Sequence, residues 1–304
     1  MKIVQPIAVT DAILSSSNIP ETEYGIYSAL ATYAAGDSVI VLSTHHIYKS
    51  LQAGNIGHDP VADSALETPL WWVNMGADNR WRMFDGASVN VSSAADLISC
   101  GLQMPVGNRA DSIVLLNLDG VSAEVTVTDP VEGVVYDTTH SLISNLGITD
   151  WYSYFFEPII RITELAVTDL PPYAAALIGV TINAAGQTVS CGELVVGLSK
   201  FIGNSQYGAQ LGIQDYSVKQ TDPFGNYTIL QRAFSKKATF QVWVDAARVD
   251  SLNQLFADYR ATPIVWIGAD EYSSTIIYGF YKDFSVEIAY MEVSICSLEI
   301  EGLT

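Results

Sequence analysis

The side chains of this 304-residue chain that could do acid–base or metal chemistry are scattered. Its four histidines are His45, His46, His58 and His140. His45 and His46 are neighbours, and strand neighbours face opposite ways, so the two cannot hold one metal together. The sequence contains no H-E-x-x-H, no G-x-S-x-G and no phosphate-cradling Gly loop after a strand. Paired carboxylates would suit a glycosidase, and Asp215, Asp222, Asp270 and Glu271 are the candidates. Each sits among turn residues, where Asp is ordinary. No spaced D-x-D-x-D loop offers a calcium cage. The expectation is a protein that is not an enzyme, with no cofactor and no metal. Cys100, Cys191 and Cys296 are odd in number and never form a C-x-x-C pair, which predicts reduced, buried thiols.

The chemistry that remains is the flat face of an aromatic ring. Tyr33-Ala34-Ala35-Gly36-Asp37-Ser38-Val39 is followed by Ile47-Tyr48-Lys49-Ser50, Pro60 and Pro69-Leu70-Trp71-Trp72. Gly36-Asp37 suits a tight turn between two strands, and aromatics can fill a core too small for aliphatics alone. Two readings stand. Tyr33, Tyr48 and Trp72 are only the core of a small module, or Tyr27, Trp71 and Trp72 face outward and offer a sugar-stacking surface.

This pattern resembles the small chitin-binding-type carbohydrate-binding modules of chitinases and cellulases, with Tyr27 where a Trp often sits. The string Asn79-Arg80-Trp81-Arg82-Met83-Phe84-Asp85-Gly86 follows the module. Together they resemble bacteriophage tail proteins. The resemblance implies that Trp81, Met83 and Phe84 anchor the module to the next domain, with Asp85-Gly86 as the turn leading out. It returns at Gln214–Lys219, Thr221–Asn226 and Gln231–Phe234, and again from Tyr259 to Phe284. Helix-bearing β-sandwiches of that order resemble the ring-forming domains of tail tubes and distal tail proteins.

Most elements that must position these residues are strands. Ser112–Leu118, Glu124–Val127, Gly192–Gly197 and Ile276–Tyr281 are short, β-branched or aromatic, and bounded by turn residues. Thr239 to Val244 alternates so that Phe240, Val242 and Val244 share a face. One helix is expected from Ala246 to Arg260. Val249, Leu252, Phe256 and Tyr259 make its apolar stripe, Asp245 caps it and Pro263 stops it. From Val286 to Ile300 the apolar phase changes twice, which predicts two strands or one strongly bulged strand.

The fold class expected is mainly β in three parts. Residues 1–85 form the aromatic module and residues 86–220 a jelly-roll-like sandwich. Residues 221–304 form a strand–helix–strand assembly region, with Phe256, Tyr278 and Phe280 among its structural residues and Trp81 and Phe84 at the module's exit. Strands near Ile276–Tyr281 or Val286–Ile300 are expected to be left for neighbouring subunits.

Composition narrows the partners. With 49% hydrophobic and 15% charged residues the chain is packed rather than disordered. A net charge of −19 argues against nucleic acid, which demands clustered cations. Apolar runs such as Tyr173–Ile182 stop near half the ~20 residues that span a bilayer, so no membrane span is expected. The opening MKIVQPIAVTDA lacks a signal-peptide centre, which predicts a chain that begins here and folds in the cytoplasm. A mean hydropathy of +0.24 points to apolar surface covered by other subunits. The resemblance implies a virion component of the tail tip or baseplate. Its partners would be copies of itself in a ring, other tail proteins and, in the alternative reading, host surface polysaccharide.

Overall fold

The computed structural model describes residues 1–144, 150–156, 158, 160–269 and 272–303. The protein is mainly β, with curled antiparallel sheets and one longer helix. A ten-stranded sheet runs in the order Glu164–Val167, Ser112–Leu116, Glu193–Phe201, Lys2–Pro6, Ile264–Ile267, Ile276–Glu287, Val293–Gly302, Phe234–Asp245 and Asn204–Ser205. Its tenth strand, Gln210–Asp215, also pairs with Phe234–Asp245. A five-stranded sheet has the order Gly133–Ser141, Ser122–Asp129, Leu177–Cys191, Ser92–Gln103 and Leu14–Ser17.

The two sheets face each other over the largest core, a β-sandwich arrangement. Ile98, Cys100 and Leu102 of one strand and Val125, Val127, Ile178, Val180 and Ile182 of its neighbours meet Ile113, Leu115, Leu194 and Val196. The opposite face of the same part of the large sheet is also buried, through Val114, Leu116 and Val195 with Val4, Val265, Ile267 and Tyr278. Burial on both faces explains why Ser112–Leu116 and Ile264–Ile267 are continuous apolar runs rather than alternating ones. It also accounts for part of the high mean hydropathy without any exposed surface.

The helix begins with a turn of 3-10 helix, Ala246–Arg248, and continues as α-helix over Val249–Asp258. The Asp245 carboxylate caps it by accepting from the Ala247 N–H at 2.9 Å. Leu252, Phe256 and Tyr259 are buried, while Val249 is only half-buried at the stripe's start. They cover Phe240, Val242, Ile264, Trp266 and Leu298 on the large sheet. Phe256 lies parallel to Trp266 at 5.9 Å and 4.2 Å from Phe284. The phase change after Val286 is a chain reversal: Ile276–Glu287 and Val293–Gly302 are separate strands, paired to each other. Ser294, Cys296, Leu298 and Ile300 then keep one buried phase throughout.

The pairing bears on two expectations. Val293–Gly302 is an interior strand, paired on both sides for most of its length, whereas Ile276–Glu287 changes partner at Gly279, with Ile276–Gly279 on Ile264–Ile267 and Gly279–Glu287 on Val293–Gly302, so residues 280–287 have a strand partner on one side only among the described residues. The sheet does not respect the divisions at residues 85 and 220. Lys2–Pro6 sits between Glu193–Phe201 and Ile264–Ile267, joining the N-terminus to both later regions. Long-range pairing of this kind leaves no local signal, because Ile3 and Val4 look the same in any strand.

Candidate functional site

The aromatic module is a separate four-stranded sheet of Gly25–Ile26, Ser38–Val41, His46–Ser50 and Trp72–Ala77. Gly36, at φ 94°, turns the chain into Ser38–Val41, and its N–H donates to the Ser50 carbonyl at 2.8 Å. The hairpin turn itself lies between Val41 and His46, where His45 takes φ 56°. Its core is Val39, Tyr48 and Trp72, with Tyr27, Tyr33, Val61 and Trp71 packed around them.

Trp72 is 0% exposed. Its indole N–H donates to the His58 carbonyl at 2.9 Å, as does the Tyr27 hydroxyl, also at 2.9 Å. Trp72 is therefore core and has no face for a sugar. Tyr27 and Trp71 are half-buried. Trp71 lies flat on the His58 ring, with centroids 3.9 Å apart and an angle of 11°. Tyr27 stacks with Tyr33 at 6.1 Å, and both rings meet Trp72 edge-on. One ring of each stack is thus held by its neighbour.

Two residues that position this group were not evident as such in the sequence. The Asp63 carboxylate accepts from the backbone N–H groups of Trp71 and Trp72, at 2.8 and 2.7 Å. Asp63 belongs to the short helix Pro60–Ser64, which Asp59 caps. The Asp-Pro start was a legible helix signal. The reach of Asp63 to the Trp pair and the stacking of His58 on Trp71 were not, because both depend on the loop folding back.

The Asn79–Gly86 string ties the module to the sandwich. Asn79 and Ser93 exchange bonds at 2.8 Å in both directions. Trp81 is buried, stacks on His45 at 4.1 Å and donates its indole N–H to Glu21 at 2.8 Å. Met83 is fully buried and Phe84 packs half-buried against the sandwich core. Burial, and then the neighbouring Glu21, push the Asp78 carboxyl well above the usual range. At the exit, the Gly86 N–H donates to the Glu193 carboxylate at 3.0 Å. Glu193 is buried on the large sheet near Asp85 and Tyr278. Burial first, and Asp85 second, push it up to about 8. Burial, with Glu193 and Asp85, pushes Tyr278 up to about 12. A lone Glu in the apolar run Glu193–Gly197 was the signal that could have found this contact.

The remaining residues fall apart in space. His45 faces Glu21 and Asp11, His46 faces Asn74, and His140 lies on Gly133–Ser141 of the five-stranded sheet. Asp215 accepts from Ser217 N–H, and Asp222 from the Phe224 and Asn226 N–H groups, so both are turn formers. Hydrogen bonds from the Ser217 and Asn226 side chains first, and from these backbone N–H groups after them, hold both carboxyls below their ordinary range. Asp270 and Glu271 lie outside the described residues. Phe280 is half-buried, opposite Glu301. All three cysteines are buried and free.

A second surface stands out. Residues 207–235 form a two-stranded arm that leaves the large sheet and is exposed almost throughout, up to the buried Ser235 at its base. No protein-family model matches the chain, and no curated protein matches it.

Proposed function

We propose that the chain is a non-catalytic structural component of a bacteriophage tail tip or baseplate, where it assembles with copies of itself and with neighbouring tail proteins. The observation that carries the assembly part of this reading is the arm at residues 207–235, whose apolar side chains are uncovered on both faces. Exposed apolar surface of that extent marks an interaction site in a soluble protein. The tail assignment rests on the resemblance of Asn79–Gly86 and of the Gln214–Phe234 and Tyr259–Phe284 stretches to tail proteins. It is tested by locating the chain in purified particles by cryo-electron microscopy or labelled antibody. Density at the tail tip is expected, and absence from intact particles would overturn the assignment.

A second reading has its own observation. The half-exposed Trp71, held flat by His58, is the kind of rigid aromatic face on which a sugar ring stacks. In that reading the module contacts host surface polysaccharide. Its test is binding of the purified protein and of Trp71→Ala to host cells and to glycan arrays.

A further inference from the structure

Beyond its base, the arm has only two strands. Val218–Thr221 and Tyr227–Leu230 pair with each other and with no third strand among the described residues. The tip is well built. The Asp222 N–H donates to the Asn226 carbonyl at 2.9 Å, and the Asp222 carboxylate accepts the Phe224 and Asn226 N–H groups. Register assigns the faces: Val218 and Leu230 share one, and Ile229 and Tyr227 share the other with Lys219. Both faces are open. Tyr227 and Ile229 are each 64% exposed, and Phe224 at the apex is 90% exposed. At the base, Leu211 stands opposite the buried Ala238 but is itself exposed, and Ile213, next on that face, is more exposed still. The core face of the large sheet therefore runs outward onto the arm with nothing over it. A lone two-stranded ribbon is marginal in water, so this element is stable when something covers it.

We propose that the cover is a second copy of this chain. The inference rests on reading the arm as an assembly element, and two observations select the occupant. First, the chain carries −19, so two copies repel. Within residues 207–235, Asp215 and Asp222 are balanced by Lys219 and Arg232. The arm is neutral, and through it copies approach with least repulsion. Second, the area is right. An aromatic buries about 150–250 Å². Tyr207, Phe224, Tyr227 and Phe234, each more than half exposed, supply with the aliphatics roughly the ~800 Å² per partner of a specific interface. The outer backbone edges of Val218–Thr221 and Tyr227–Leu230 add open hydrogen-bonding groups that an identical arm can match.

The test is sedimentation velocity on the full chain over a range of concentrations, against two variants. One replaces surface apolar residues: Phe224→Ser, Tyr227→Ser and Ile229→Thr. The other, Lys219→Glu with Arg232→Glu, makes the arm acidic. Circular dichroism checks that each folds. Concentration-dependent oligomers are expected from the wild type, weakened at least tenfold in both variants. The loss in the charge variant should shrink with added salt. A wild type that stays monomeric, or a triple variant that associates as well as the wild type, overturns the inference. The two readings fail differently. If the wild type is monomeric but the arm is buried against another protein in particles, assembly stands and self-association falls. An arm facing solvent in the particle removes both.

Discussion

Glu193 carries the module's exit on one carboxyl, and its burial makes that contact pH-dependent. The group ionises near 4.5 when exposed and at about 8 in the folded chain. Between those values the folded state holds the extra proton, so stability falls as pH rises through the window. Glu193→Gln keeps an acceptor for the Gly86 N–H and removes the charge. It should raise the thermal midpoint above about pH 8, by up to a few kcal/mol of stability, and change little near pH 4. Thermal scans at the two pH values check this; an equal gain at both would mean better packing rather than a removed charge. The two tryptophans separate in the same way. Trp72→Ala should cost about 3–5 kcal/mol, because it empties the centre of a small core. Trp71→Ala should leave the module folded and, if the glycan reading holds, weaken glycan binding about tenfold or more. Denaturation curves and glycan arrays measure the two effects independently.

At the scale of elements, the helix is the clearest case of a sequence pattern with one physical outcome. Its stripe has one place to go, and Phe256 fits between Trp266, Tyr281 and Phe284. Phe256→Ala should destabilise the protein by about 3–5 kcal/mol, and Phe256→Asp should prevent folding by burying an unpaired charge. Removing the cap with Asp245→Ala should cost about 1 kcal/mol. Urea titrations of the three variants should reproduce that order. The arm is the converse case. Its sequence was legible only as turn residues around Asp215 and Asp222, and its uncovered state cannot be read from the pattern. Alternation shows that faces differ; here both faces carry apolar residues, and only the sheet's end point shows that neither is covered.

For the whole molecule, the placement of Lys2–Pro6 decides how it can be cut. Removing residues after about 220 would leave Lys2–Pro6 without Ile264–Ile267 and would uncover Ile3 and Val4, both fully buried. The fragment should aggregate or lose its near-ultraviolet circular dichroism rather than persist as a folded module that fails to join particles. Deleting only the outer part of the arm, with a short turn joining residues 213 and 235, should leave the folded body intact. Limited proteolysis and size-exclusion chromatography distinguish the two outcomes. The acidity of the body, set against a neutral arm, makes any self-association salt-dependent.

By itself the sequence determined the mainly β character, the helix and its cap, and the buried state of the cysteines. Each follows from local periodicity, turn chemistry or residue type, which act over a few neighbours. Tertiary structure alone decided four things. Trp72 is core while Trp71 keeps a face, because Trp72 opens its strand with the side chain inward and Trp71 lies just before the strand. Asp63 and His58 hold that pair through a loop that folds back. Val293–Gly302 is interior because Phe234–Asp245 and Ile276–Glu287 flank it. And the N-terminal strand closes the centre of a sheet whose other members lie up to 300 residues away. Strand partners are chosen by global burial and loop closure, not by neighbours in sequence, so these placements carry no signature that a linear reading could find.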